Sequence, residues 1–200
     1  IMNSHISTNP MHEVNEPFNP KSISIETKQL LVQTIINRLK QHTLRLAPSF
    51  QRKEVWRIDQ KSRLIESILL KIPLPMFYVA ADEEGNLDVI DGMQRLSALR
   101  DFIFQSGNSN LEANGKGFKL LDLEFIKELN GKDYSELDIF YQNRISETEL
   151  SFTIINPGTP EDVKFTIFSR VNTGGLALTD QEVRHALYNG RSTSLLKQLS

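Results

Sequence analysis

The stretch from Asp88 to Phe102, DVIDGMQRLSALRDF, changes period in its middle, and no single secondary-structure element accommodates it. Val89 and Ile90 read as a short strand that ends in the turn pair Asp91-Gly92, whereas Leu96, Leu99 and Phe102 recur at helical spacing. A strand that passes through a glycine turn straight into a helix demands a mixed architecture. With 200 residues, 39% of them apolar, the chain can build one compact domain with a proper core around such a unit.

The flanking segments carry the same mixture. Leu30, Leu31, Ile35 and Leu39 lie on one face of a helix expected over 25–41, and TLRL (43–46) follows as a short strand before Pro48. Asp59 is the expected N-cap of a second helix with the apolar stripe Leu64, Ile65, Ile68 and Leu69, stopped by Pro73 and Pro75. MFYVAA and LDVI read as two strands of a hairpin joined by DEEGN, and the helix after Gly92 ends in the turn-rich SGNSN. GFKLLDLE and TELSFTII read as strands, with YSELDIFYQNRI between them open to a helical or an irregular reading. Val163, Ile167, Phe168 and Val171 give a helix over 161–171, broken by NTGG, after which Thr179 caps another helix through Tyr188. The expected class is mixed α+β, with helices outnumbering short strands.

Residues 1–23 are polar and aperiodic, with prolines at 10, 17 and 20, and are expected to form a flexible leader, the domain running over 24–200. STSLLKQLS ends the chain with leucines that nothing downstream covers, an expectation of a further helical region beyond it. No apolar run approaches the ~20 residues that span a bilayer, so no membrane partner and a cytoplasmic location are expected. The absence of cysteine excludes disulfides, Cys-ligated zinc and thiol chemistry. A net charge of −2 argues against coating nucleic acid through bulk basicity, but leaves room for a local arginine cluster to meet phosphate. His5, His12, His42 and His185 form no H-E-x-x-H pairing, and G-x-x-x-x-G-K-[ST], G-x-G-x-x-G and G-x-S-x-G are all absent.

Three stretches remain as candidates for chemistry. Behind Gly92 the first N–H groups of a helix have no intrahelical partner and sit at the positive end of its dipole, a ready anion site. Gly92 allows close backbone approach there, Gln94 can donate and accept, and Arg95 can grip a phosphate with two N–H groups. Asp91 could orient that arginine, hold a metal ion or bind a ribose hydroxyl; the plainer alternative is that it caps the helix and Arg95 is solvated. The second stretch, PSFQRKEVW, places Gln51 and Arg52 beside Trp56, the single tryptophan, expected in the core or as a lid. The third, FSRVNTGGLALTDQEVRHALYNG, carries Arg170, Asn172, Thr173, Gly174 and Gly175 at a helix end. A glycine C-cap explains the glycines but not Arg170 and Asn172 together.

Taken jointly, these stretches resemble a known family. DGMQRLSAL resembles the signature DGQQRLTAL, PSFQRKEVW the segment P-x-[FY]-Q-R-x-x-x-W, and FSRVNTGGLALTDQEVR the motif F-x-R-[IV]-N-T-G-G-x-x-L-[TN]-x-Q-E-[IV]-R of the N-terminal domain of GmrSD-type modification-dependent restriction systems. The resemblance implies a ParB/sulfiredoxin-like fold, a small sheet core with surrounding helices. It further implies binding and hydrolysis of a nucleoside triphosphate, with Mg²⁺ as companion ion, and DNA cleavage by a C-terminal region that would follow this domain. By position it points to Asp91, Gln94 and Arg95 as catalytic, with Asp91 also toward the metal, and to Gln51, Arg52, Gly92, Arg170, Asn172, Thr173 and Gly174 as nucleotide contacts. DNA, through a larger protein or complex, is the implied further partner, and the chain itself leaves a homo-oligomer open. Met93 departs from the signature, replacing a glutamine with an apolar side chain, which is benign only if position 93 faces the core.

Overall fold

The computed structural model describes residues 20–46, 55–104 and 117–171. Their centre is a five-stranded mixed sheet built from β1 (Ile25–Leu31), β2 (Leu44–Arg45), β3 (Phe77–Ala81), β4 (Leu87–Asp91) and β5 (Glu149–Ile155), in the order β1-β5-β3-β4-β2. The β1/β5 and β3/β4 pairs are antiparallel, and β5/β3 and β4/β2 are parallel. Helices α1 (Val32–Lys40), α2 (Ile58–Leu69), α3 (Met93–Phe104), α4 (Ile139–Ser146) and α5 (Glu161–Val171) surround it. The expected α+β class is what the chain adopts.

Alternation along the strands sorts the core into two layers. Phe77 and Val79 of β3, Val89 of β4 and Phe152 and Ile154 of β5 turn to the main cluster with α1 to α4. Tyr78, Ala80, Ile90 and Ile155 turn the other way, where Phe165, Ile167 and Phe168 of α5 cover them. Phe77 stacks on Phe152 at 5.0 Å between ring centroids. Each fully buried side chain of this kind contributes about 1.5–3 kcal/mol of apolar transfer, so the main layer supplies most of the stability.

Two sequence expectations are corrected. The helix expected over 25–41 begins only at Val32: residues 25–31 pair in continuous register with β5, from Ile25 opposite Ile155 to Leu31 opposite Glu149. Helical spacing of Leu31, Ile35 and Leu39 is real, but the half before it has a partner more than a hundred residues away, which local pattern does not signal. GFKLLDLE is not a strand. Leu120 is paired with backbone, its N–H donating to Lys132 O at 2.9 Å and its carbonyl accepting from Gly131 N–H at 2.7 Å, while side chains take the N–H groups after it: Ser62 Oγ accepts from Leu121, Asn130 Oδ1 from Leu123, and the Glu66 carboxylate from Glu124 and, just past the segment, from Phe125 and Ile126 at 2.7–3.0 Å. Ser62 and Glu66 sit one turn apart on α2, both buried, and hold the segment without a ladder.

The remaining elements lie where the sequence places them, except that Asp59 is not the cap of α2. The open segment before β5 resolves into a 3-10 turn, Tyr134–Glu136, followed by α4. At α2 the capping position is Arg57, whose N–H donates to Gln60 Oε1, and Asp59 lies inside the first turn, paired with the Arg57 guanidinium. The helix capped by Thr179 and the leader up to residue 19 lie outside the described residues.

Candidate functional site

The site forms where β4 becomes α3. Across the β3/β4 hairpin, Val79 faces Val89 but Tyr78 faces Asp91, so β4 carries one residue more than its partner at Ile90. A bulge of this kind bends the strand and re-aims the residues after it. Asp91 therefore ends the strand opposite Tyr78. Gly92 then turns the chain at φ +99°, a conformation L side chains rarely adopt, and Leu96 N–H donates to Gly92 O at 3.0 Å to close the first turn of α3.

Gly92 is required by packing as well as by φ. A Cβ there would stand 2.3 Å from Phe77 Cδ1 and 3.1 Å from Arg95 Nη2. The side of Gly92 on which a Cβ would stand is filled by the Phe77 ring. Arg95 lies over that ring, its Cζ 4.1 Å from the centroid, a cation–π contact. Its Nη1 donates to Pro75 O, and its Nη2 donates to Met76 O at 3.1 Å and to Asp91 Oδ2 at 3.3 Å. The guanidinium thus ties the entry of β3 to the start of α3, with its side chain only 12% exposed. Burial lowers its pKa and the Asp91 charge opposes that shift, so it stays cationic. Asp91, 33% exposed, is the open member of the pair.

Gln94 links the second stretch to the first. Its Oε1 accepts from the backbone N–H of Trp56 at 3.2 Å, and the Trp56 ring packs partly buried against the main core. The third stretch arrives through α5: Phe168 is buried against Ile90, the residue before Asp91, and Arg170 follows two positions on with an exposed side chain. Met93 is 8% exposed within the main core cluster, so the departure at this position faces inward. Gln51, Arg52, Asn172, Thr173 and Gly174 lie outside the described residues. Phe77 and the carbonyls of Pro75 and Met76 are the participants that sequence reading missed. Their one sequence trace is the proline-rich entry to β3, where carbonyls precede the ladder and remain free to accept.

Among the described residues no group of three or more His, Asp or Glu side chains could hold a metal ion by itself. A single carboxylate at Asp91 matches the way Mg²⁺ is usually held, by one or two carboxylates together with substrate phosphates. Also among the described residues, no helix is long and apolar enough to cross a membrane.

Fold and site together define a mixed α+β domain organised around an Asp-Gly junction between a strand and a helix. The chain belongs to the family described as the GmrSD restriction endonuclease, N-terminal domain, which it matches over residues 32–189. That span holds all three motif stretches. No curated protein and no solved structure matches the chain.

Proposed function

We propose that this domain of a GmrSD-type restriction system binds a nucleoside triphosphate together with Mg²⁺ at the mouth of α3 and hydrolyses it. What supports the reading is the meeting of the three stretches at one strand end: 91–95 form it, Trp56 is bonded to Gln94, and α5 is anchored beside it through Phe168. In this reading the phosphates lie over the first N–H groups of α3. Gly92, Gln94, Gln51, Arg52, Arg170, Asn172, Thr173 and Gly174 contact the nucleotide. Asp91 orients Mg²⁺ or the attacking water, and Arg95 holds Asp91 in place and balances phosphate charge. Water adds to the terminal phosphorus as the bond to the bridging oxygen breaks, leaving a nucleoside diphosphate and inorganic phosphate. DNA contact and cleavage fall to a region outside this chain, in the cytoplasm where both substrates occur.

The 200-residue chain, incubated with Mg²⁺ and each of ATP, GTP, CTP and UTP, should release phosphate from at least one, and Asp91→Asn should abolish release while circular dichroism is unchanged. Full turnover in Asp91→Asn would refute the assignment. A second reading, a non-catalytic NTP-sensing or DNA-binding module, is favoured by one observation: the Arg95 guanidinium is engaged by Pro75, Met76 and Asp91. Nucleotide binding without phosphate release would select the sensor. DNA affinity falling by ~0.9 log units per log unit of salt for each phosphate contact, with no nucleotide binding, would select the DNA module.

A further inference from the structure

Among the described residues strand β1 is the edge of the sheet, and its seven residues are exposed except for Leu30. Asn156 N–H donates to Ser24 O, and Val32 N–H donates to Thr148 O. Antiparallel pairs alternate, so the even-numbered residues between these bonds turn their backbone groups toward β5. The N–H and C=O groups of Ile25, Thr27, Gln29 and Leu31 therefore point away from the sheet, toward whatever lies beside β1. Edges of this length are usually shortened, bulged or covered, because an open ladder recruits another strand. This one is continuous in register, carries the opposite charges Glu26 and Lys28, and is flanked by exposed Ile25 and Leu31, 44% and 40% exposed.

We propose that β1 pairs antiparallel with β1 of a second copy of this chain, about a two-fold axis at Thr27. Two features of the strand select that occupant and that register. Outward-facing backbone groups belong to odd-numbered residues, so a two-fold at Thr27 lets the two Thr27 residues exchange both hydrogen bonds, with Ile25 opposite Gln29 on either side. Charge decides between registers. With the axis at Thr27, Glu26 of each copy stands across from Lys28 of the other, in the pair type where side chains come closest. Moving the axis by one residue sets Lys28 against Lys28, or Glu26 against Glu26, and like charges directly opposite destabilise a sheet. The Glu26-Thr27-Lys28 triplet is thus self-complementary in one register only. Within one copy Glu26 and Lys28 pair at 3.3 Å with both side chains well exposed, and they are free to exchange partners.

The result is one ten-stranded sheet with like faces on the same side. The two Asp91 junctions, each on the fourth strand from the dimer axis, stand roughly 34 Å apart at ~4.8 Å for each of the spacings between them. An interface of one strand per copy is small, so the dimer should form in the micromolar range.

Sedimentation velocity of the full chain from about 1 to 200 µM should show a monomer converting to a dimer. Thr27→Pro removes an N–H that faces away from β5 and leaves the fold intact by circular dichroism, yet should keep the protein monomeric. Glu26→Lys and Lys28→Glu should each weaken self-association by roughly tenfold or more, mixing the two variants should restore a heterodimer, and combining both changes in one chain should restore the homodimer. A chain that stays monomeric throughout overturns the proposal. So does a dimer that persists unchanged in folded Thr27→Pro, or one whose charge variants fail to complement each other.

Discussion

Gly92→Ala is the sharpest test of how the junction between β4 and α3 is built. The new methyl group would meet Phe77 Cδ1 at 2.3 Å and Cε1 at 2.9 Å, inside any tolerable contact, on a backbone at φ +99°. Holding a non-glycine residue in such a region costs about 1–3 kcal/mol, and forcing a close-packed core to admit the methyl costs about 1–3 kcal/mol more. Phe77 cannot withdraw freely: it is fully buried and stacked on Phe152. The sum, about 2–6 kcal/mol, is a large share of the ~5–15 kcal/mol by which a domain is stable. Denaturant unfolding should report it directly, and thermal unfolding should show a drop of about 5–20 °C. The two contributions separate in a Phe77→Ala background, where the clash is gone. There, Gly92→Ala should cost only the backbone share of about 1–3 kcal/mol. A loss below about 1 kcal/mol in the otherwise unaltered chain would refute the packing argument, and full additivity with Phe77→Ala would show that the ring is not what excludes the methyl.

Burial pushes the Glu66 carboxyl up, but the N–H groups of Ile126, Glu124 and Phe125 together hold it below its ordinary value. Its stabilising share is therefore fully present above the unfolded glutamate pKa of ~4.3 and is lost as pH falls from there through the depressed folded value; Glu66→Gln should flatten the denaturant midpoint against pH in that window, and an unchanged acid slope would contradict the assignment. Asp101→Ala removes the buried carboxylate that pairs with both Arg100 and Lys61, leaving Lys61, its partner at 2.9 Å with a side chain only 14% exposed, without that counter-charge, and should cost about 3–5 kcal/mol in chemical unfolding; a loss under about 1 kcal/mol would mean Lys61 reaches water. Met93→Gln places an amide at a core position and should lower stability by about 1–3 kcal/mol. An unaltered unfolding midpoint there would mean that position 93 has access to a polar partner.

The outline of the fold is visible in the chain because its signals are local. The β3/β4 hairpin, the switch from strand to helix at Gly92 and the periodicity of α5 each depend on residues close to one another in the chain, the widest being the hairpin from Phe77 to Asp91. Ile25–Leu31 is different, since nothing within the segment distinguishes a helix start from a strand whose partner is Glu149–Ile155. The segment after 117 reads as a strand, but it bends, with Asp122 at φ +54°, and Ser62 and Glu66 take N–H groups that a neighbouring strand would have taken, an arrangement visible only once α2 lies beside it. At the candidate site, the sequence singles out Asp91, Gly92, Gln94 and Arg95 without showing how they divide their work. Gly92 and Arg95 hold Phe77 and the Pro75-Met76 carbonyls, and Asp91 is left more open than Arg95. That division depends on β3, which the motif itself does not contain.

The single tryptophan provides the most direct measurement, because the Trp56 N–H is bonded to Gln94 at the mouth of α3. Titrating the chain with each nucleoside triphosphate in the presence of Mg²⁺, while tracking Trp56 fluorescence, should give a saturable change for at least one nucleotide, and Gln94→Ala should weaken the apparent affinity by roughly tenfold or more. A flat titration with all four nucleotides, alongside an independent binding assay that finds none retained, would contradict the nucleotide site at the junction of β4 and α3.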